Sequence, residues 1–414
     1  MDYYFHFLAG IPASHAASRL TLLSAHDTSP RALTQKILER PRLVEKIWAA
    51  IPDPSRAYMT VFRTGPLERR LATLLDIPLN AADPELEALC TKSSGRRVLR
   101  EADVDVPFGF EDLRDEDDVV AALQALMAQR PGIRRAVLKL EHSRWEEGHA
   151  LVDLPSAPTR DGLRQALRGL RGPDGIDGPS YLERFGKVGG VVEEIVDGVE
   201  KVVSGQVRIN PRGEVILTST HDELRGGHMG LESVGCLFPA DERCRPYVQE
   251  AALRVGHVLA GNGLISRLSV EFLVCAGAGG RAPRLVGTEI NLGVGGSTHP
   301  LLAVRFLTDG QLEPETGLFR SPSGEAKFYR ATDNLHSDAY CRLLPEDLID
   351  ILTVDELHYS AHGETGALFY MLGAISELGR VGMVAVGNSH DGADAIFRRT
   401  QAALDAASCF NPRP

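Results

Sequence analysis

An α+β architecture follows from three features of the 414-residue chain. Short apolar, β-branched runs bounded by Gly and Pro recur between residues 91 and 325. Amphipathic stretches of helix length lie among them. Two turn-rich segments, Asn210-Pro211-Arg212-Gly213 and residues 276–283, have the make-up of hairpin connections, so much of the sheet is expected to be antiparallel. At about 150 residues per domain, the length predicts two or three domains.

Taken in order, residues 1–90 form an N-terminal domain that mixes helical patterns with short apolar strands such as 57–62. Its stretch 31–51 is amphipathic, and Pro41 restarts the helix because proline cannot continue one from the preceding residue. Residues 91–328 form the core, divided at 196. Strands are expected at 136–140, 191–196, 202–209, 215–218, 268–274 and 285–291, with helices at 161–171 and 245–261. Residues 329–414 form a mainly helical C-terminal segment, with helices at 367–378 and 392–407. There is no internal repeat, charge block or low-complexity tail.

Composition narrows the function. With 45 basic and 56 acidic residues the formal charge is −11, which argues against a general nucleic-acid binder, since such affinity rests on neutralising phosphates. A local basic pocket for a small anion stays compatible with this balance. No run approaches 18 apolar residues, so no membrane span is expected. Residues 1–20 lack the basic-then-apolar pattern of a signal peptide. The six cysteines are dispersed without C-x-x-C or zinc spacing and read as the reduced thiols of a cytoplasmic protein.

Charged residues inside apolar strands need explaining. Lys139 sits within Ala136-Val-Leu-Lys-Leu140, where an ammonium either snorkels to solvent at a sheet edge or meets an anion, because an unpaired buried charge is costly. Trp145-Glu146-Glu147-Gly148 follows, as a loop over a phosphate would. Val191-Val-Glu-Glu-Ile-Val196 carries Glu193 and Glu194 on opposite faces. Glu271 interrupts Leu268-Ser-Val-Glu-Phe-Leu-Val274, and Glu289 and Asn291, two apart, share a face of the next strand. Three oxygen donors on adjacent antiparallel strands suit a hard cation such as Mg²⁺, with phosphates completing its shell. The loop Leu292-Gly-Val-Gly-Gly-Ser-Thr-His-Pro300 presents backbone N–H groups to an oxyanion or carboxylate. No Walker-type loop, H-E-x-x-H or G-x-S-x-G occurs. His358 and His362 therefore read as an ordinary satisfied or exposed pair.

Together these residues resemble the ATP-grasp ligases. The resemblance rests on Glu289-x-Asn291 followed by Gly-Gly-Ser-Thr-His-Pro, Lys92 ahead of Arg97-Val-Leu-Arg-Glu-Ala-Asp-Val-Asp-Val-Pro107, Lys139, and Val-Glu-Glu-Ile-Val-Asp-Gly-Val-Glu200, whose order along the chain matches across about 200 residues. More narrowly, the chain is similar to the pheganomycin-type ATP-grasp peptide ligases. His15-Ala-Ala-Ser-Arg-Leu20, Lys36-Ile-Leu-Glu-Arg-Pro41, Gly235-Cys-Leu-Phe-Pro-Ala240 and the run Gly373–Gly382 carry that likeness.

The resemblance implies an ATP-grasp fold: two α+β subdomains, 91–196 and 197–328, gripping ATP between antiparallel sheets, behind an α/β pre-ATP-grasp domain. Relatives usually carry more sequence before the equivalent of Tyr3-Tyr4, so this domain is expected to lack its first strand. Lys92 and Lys139 would contact nucleotide phosphates; Glu193, Glu194, Ile195 and Val196 would form the adenine hinge, mostly through backbone, and Glu200 would hold the ribose. Glu271, Glu289 and Asn291 would bind Mg²⁺, with Mn²⁺ as a substitute. Arg267 would steady the transferring phosphoryl group or the developing oxyanion, and Ser297, Thr298 and His299 would lie beside the acid substrate. The 220–235 segment is expected to be a specificity loop, in which Arg225 either meets a substrate carboxylate or is an exposed loop arginine. Two departures are noted: relatives carry a Ser-Gly-x-Gly-Asn type lid where this chain has Trp145-Glu146-Glu147-Gly148, and their first metal ligand is commonly aspartate.

The implied reaction is ATP- and Mg²⁺-dependent joining of a carboxylate, from an amino acid or small peptide, to an amine through an acyl phosphate, in peptide natural-product biosynthesis. The alternative is a nucleotide-binding relative without ligase turnover, motivated by the Glu-Glu lid. Small acid and amine substrates, a homodimer, and no nucleic-acid or membrane partner complete the expectation.

Overall fold

The computed structural model describes residues 2–5, 7, 11–143, 148–172, 175–226, 232–277 and 282–409. Two antiparallel sheets organise the chain. The smaller contains β1 (Gly109–Leu113), β2 (Arg135–Leu140), β3 (His149–Asp153) and β4 (Gly190–Glu194) in the order β1-β4-β2-β3. The helices Glu116–Gln129, Arg160–Arg168 and Gly178–Val188 cover one of its faces, where Leu123, Leu126, Leu163, Leu167 and Phe185 pack on Ala136, Leu138 and Val192. Period-two alternation then places Val137, Lys139 and Glu193 on the opposite face. Gly190 is required at the β4–β2 seam, because a Cβ there would lie 2.1 Å from the Lys139 carbonyl oxygen.

The larger sheet has ten strands: β5 (Val199–Ile209), β6 (Val215–Gly226), β7 (Glu232–Phe238), β8 (Ser266–Cys275), β9 (Arg284–Leu292), β10 (Gln311–Leu312), β11 (Phe319–Arg320), β12 (Ala326–His336), β13 (Gly366–Tyr370) and β14 (Arg380–Gly387). Eight follow the order β10-β11-β12-β7-β6-β5-β8-β9, and β14 pairs with both β12 and β13. The β5–β6 hairpin closes through Asn210–Gly213 as expected, with Gly213 at φ +79°. β8 and β9 pair antiparallel up to Cys275 and Arg284, on either side of the second expected hairpin.

β8 alternates strictly. Leu268, Val270, Phe272 and Val274 are buried beneath the Arg245–Gly261 helix with Val248, Ala252, Val255 and Leu259, leaving Arg267, Ser269 and Glu271 on the other face. The Lys92–Glu101 helix connects the two sheets. Its Val98 and Leu99 enter the core of the larger sheet, and its Arg96 reaches the smaller one.

The C-terminal segment, expected to be mainly helical, also carries three strands: β12 and β14 were not anticipated, and β13 replaces part of an expected helix. Residues 367–378 are not one helix: β13 spans Gly366–Tyr370, and only the short turns Leu372–Ala374 and Ile375–Leu378 are helical. A short apolar run is ambiguous in periodicity, and here pairing with β14 decides. The second expected helix is present as His390–Ser408. In the first ninety residues the helices Leu33–Leu38 and Pro41–Ala49 break at Pro41 as expected. The strand expected over 57–62 is reduced to a bridge between Met59 and Leu79, and the N-terminal unit has no sheet of its own among the described residues. Tyr3 and Tyr4 instead dock on β13, where Phe369 N donates to Tyr3 Oη at 3.2 Å and Tyr4 Oη donates to Phe369 O at 3.3 Å. The six cysteines are free. Among the described residues, no helix is long and apolar enough to cross a membrane.

Candidate active site

Register assembles one polar row across the face of the larger sheet opposite the Arg245–Gly261 helix. Glu289 on β9 lies opposite Glu271 on β8, which lies opposite Ser204 on β5; one step along, Asn291 faces Ser269 and Ser269 faces Gln206. Each sits on the same side of its strand because directly opposed residues point the same way. β6 extends the row with His221 opposite Ser204 and with Glu223 two residues on. Two carboxylates and an amide oxygen converging on one face are hard donors of the kind Mg²⁺ accepts, so Glu271, Glu289 and Asn291 fit that ion with phosphate oxygens as further ligands. Among the described residues, no cluster of three or more His, Cys, Asp or Glu is placed to hold a metal. His358 and His362 are both exposed.

Two of the cations named from sequence, Lys92 and Arg225, meet this row directly. Lys92 Nζ, at the start of its helix, is buried against Glu289 Oε1. That helix is capped by Glu141 from the end of β2, which accepts from Ser93 N at 2.9 Å and Ser93 Oγ at 2.7 Å. Arg225 Nη2 donates to Glu271 Oε2, and Thr288 Oγ1 donates to Glu271 Oε1 at 3.2 Å. Lys139 Nζ lies 2.8 Å from Glu193 Oε2. Arg96, not anticipated from sequence, donates to the other Glu193 oxygen, to Glu111 Oε1 at 2.5 Å and to the Pro107 carbonyl at 2.8 Å. Burial pushes the Glu193 carboxyl up, but Lys139 and Arg96 outweigh it and hold the group below its usual range. Lys92 and Arg96 are four apart on a helix and therefore share a face, which is the sequence signal that could have found Arg96.

Two more unanticipated groups line the cleft. His149, opposite Lys139 on β3, is buried and kept neutral by that burial and by Lys139 and Lys92. Glu223 is pushed up to about 8 by burial and then by Glu271, while Ser204 Oγ donates to it at 2.6 Å. Glu223 and Arg225, two apart, were legible as one face once the segment is read as a strand. The segment expected as a specificity loop, 220–235, is instead the two arms of the β6–β7 hairpin, with residues 227–231 outside the described ones. Alternation with cross-strand partners places Arg225 there.

Other named residues are spread more widely. Glu194 turns outward, accepting from Phe108 N at 3.0 Å and from Arg130 Nε at 2.6 Å. In the link from β4 to β5, Ile195 is exposed and Val196 half-buried; Glu200 is exposed near the start of β5. Arg267 is half-buried on the polar face of β8, and burial followed by Arg208 and Arg305 holds its guanidinium below the usual value. Ser297 and Thr298 are buried at the start of the Thr298–Thr308 helix, where Gln206 Nε2 donates to Ser297 Oγ at 2.5 Å. His299 stacks between Phe62 and Tyr370, with ring centroids 6.3 Å and 5.9 Å away. The lid residues Trp145, Glu146 and Glu147 lie outside the described residues; Gly148 follows them, and its carbonyl accepts from Tyr181 Oη at 2.7 Å.

A small sheet and a large sheet facing each other across paired cations and carboxylates make up the ATP-grasp arrangement. The family model described as IQCH-like, ATP-grasp matches residues 84–169 and 177–315, and the chain belongs to that family. A second model, the PGM1 C-terminal domain, matches residues 347–400. The chain is 29% identical over 392 residues to L-propargylglycine–L-glutamate ligase of Streptantibioticus cattleyicolor, covering 93% of this chain and 78% of that one. It is 25% identical over 357 residues to the IQ motif-containing protein H of Danio rerio, covering 77% of this chain but 34% of that protein. Among solved structures it shares its fold with biotin carboxylase from Campylobacter jejuni (TM-score 0.56, 14% identity, 89% and 82% covered). It also shares it with N5-carboxyaminoimidazole ribonucleotide synthetase from Thermus thermophilus (TM-score 0.54, 18% identity, 90% and 86% covered).

Proposed function

We propose that this chain is an ATP-dependent carboxylate–amine ligase that forms an amide bond through an acyl phosphate. The substrate carboxylate oxygen attacks the γ-phosphorus, and the bridging oxygen leaves on ADP. The amine nitrogen then attacks the acyl carbon, loses a proton, and phosphate departs. Phosphoryl transfer asks mainly for positioning and charge neutralisation. Lys92 and Lys139 face the phosphates, and Arg267 steadies the oxyanion. The 193–196 segment, chiefly through backbone, and Glu200 hold the nucleoside, while the Glu193 carboxylate acts through Lys139. Glu271, Glu289 and Asn291 hold Mg²⁺, or Mn²⁺ as a substitute, which neutralises phosphate charge when bound. Ser297, Thr298 and His299 adjoin the acid.

The observation that carries this reading is the contact of Lys92 with Glu289: it joins the helix that reaches the smaller sheet to the carboxylate row of the larger one. Substrates are an amino acid or small peptide and an amine, in peptide natural-product biosynthesis; the protein works in the cytoplasm, as a homodimer. The test is hydroxylamine trapping with Mg-ATP and a panel of amino acids and short peptides, read by mass spectrometry. A hydroxamate with one class of acid supports ligation and identifies the donor. Nucleotide binding with neither ADP nor hydroxamate across the panel overturns it in favour of a binding protein.

A further inference from the structure

Beside the carboxylate row, two arginines next to Arg267 have no role so far. Arg208 on β5 lies directly opposite Arg267 on β8. Opposed residues of an antiparallel pair project from the same face with Cβ atoms about 5 Å apart, and like charges so placed repel. Arg305, from the Thr298–Thr308 helix, adds a third cation close enough to act on Arg267. The start of that helix is fastened by Gln206, two residues before Arg208 on the same strand face, so the cluster adjoins the Ser297–His299 segment.

The neighbouring cations are neutralised differently. Lys92, Lys139, Arg96 and Arg225 each contact a carboxylate within the cleft. Among the described residues no carboxylate lies within ion-pair distance of Arg208, Arg267 or Arg305, although acidic side chains outnumber basic ones by 56 to 45. A half-buried cross-strand repulsion kept beside an otherwise neutralised cleft calls for an anion from outside the chain. Arg267 sits four residues along β8 from Glu271, about 13 Å at strand rise. The cluster therefore lies at the Asn291 end of the row, two residues beyond Ser269 and away from Glu271, where it adjoins the Ser297–His299 segment.

We propose that Arg208 and Arg305, with Arg267 shared, recognise a substrate carboxylate other than the one that is phosphorylated. The substrate pair then includes an amino acid or peptide whose free carboxylate stays unreacted. That carboxylate belongs either to a donor with two acid groups or to the acceptor amine. Planar guanidinium groups suit it, because each presents a fixed fork of donors to two oxygens. The inference rests on the ligase reading for what is joined, and on the arginines alone for what is bound.

The test uses the full chain with Mg²⁺ and a non-hydrolysable ATP analogue, titrated calorimetrically with the common amino acids and their α-carboxamides. Wild type is expected to bind at least one free acid about tenfold or more tightly than its amide, since hydrogen bonds to charged groups are the strong ones. Arg208→Gln and Arg305→Gln should each erase that ratio while leaving the affinity for the ATP analogue unchanged. Arg305 is exposed, so its variant keeps the test valid if Arg208→Gln does not fold. A preference for glutamate over its α-amide identifies the donor; a preference for a monocarboxylic amino acid over its amide identifies the acceptor. No acid preference in wild type, an unchanged preference in the variants, or equal competition by inorganic phosphate overturns the proposal. An intact preference, with no ADP formed when ATP replaces the analogue and the preferred acid is supplied with an amine, overturns the ligase reading alone.

Discussion

Substituting Glu193→Gln isolates the buried charge network that holds Lys139. The Glu193 and Lys139 side chains are 2% and 7% exposed, and among the described residues Glu193 is the carboxylate within ion-pair distance of that lysine. Arg96 keeps Glu111 and the Pro107 carbonyl, so the uncompensated charge falls on Lys139. Breaking a buried pair by removing one partner costs about 3–5 kcal/mol; the amide conserves shape and one acceptor, which places the expectation near ~3 kcal/mol. The exposed cluster of Asp117 with Arg160 and Arg164 is the control, and Asp117→Asn should cost less than ~1 kcal/mol. Urea denaturation followed by circular dichroism at neutral pH measures both. The folded Glu193 carboxyl is held below its usual range, so its stabilisation is full above the ordinary carboxylate range and is lost as pH falls through the folded value. The gap between wild type and variant should therefore persist at neutral pH and close only in strong acid. A loss no larger than that of the Asp117 control would refute the reasoning.

Three further outcomes are expected. Glu289→Ala should lower the rate of acid-dependent ADP release by at least about a hundredfold, since metal charge stabilisation contributes several kcal/mol to such transition states; near-normal ATP consumption in a coupled assay would remove Glu289 from the metal set. Glu223 titrates opposite to Glu193: its folded value is raised to about 8, so the folded state binds the extra proton between the ordinary carboxylate range and that pH. Stability should fall as pH rises through this window, and Glu223→Gln should flatten the slope, read as the pH dependence of the urea midpoint. Phe272→Ala should cost about 3–5 kcal/mol, because a fully buried ring at the centre of the β8 core leaves a cavity; a midpoint within experimental error of wild type would mean the core collapses around the gap.

Much of the candidate site was legible because strand periodicity is local. Glu289 and Asn291 share a face by spacing alone, and Glu271 stands out as an acid in an apolar strand. The β5–β6 hairpin was legible in its turn residues. Lys139 could be flagged as a charge needing an anion, yet its partner could not be named, since nothing local distinguishes Glu193 from Glu194. Their opposite fates follow from the strand pleat and from Arg96, which approaches Glu193 from 97 residues away in the chain.

The remainder was decided by tertiary contact. Residues 367–378 have the composition of a helix, but 367–370 form a strand because β14 offers an edge that pairs with them. Arg225 was placed in a loop and lies on a strand against Glu271, 46 residues distant. Lys92 meets Glu289 across 197 residues, and Arg208 faces Arg267 only through the β5–β8 register. By itself, then, the sequence determined which side chains share a face and which charges lie within apolar runs, because both depend on the backbone repeat of a single element. Which cation meets which carboxylate, and which arginines stand together, was decided only by the tertiary structure, because strand pairing and helix docking are set by burial summed over distant segments.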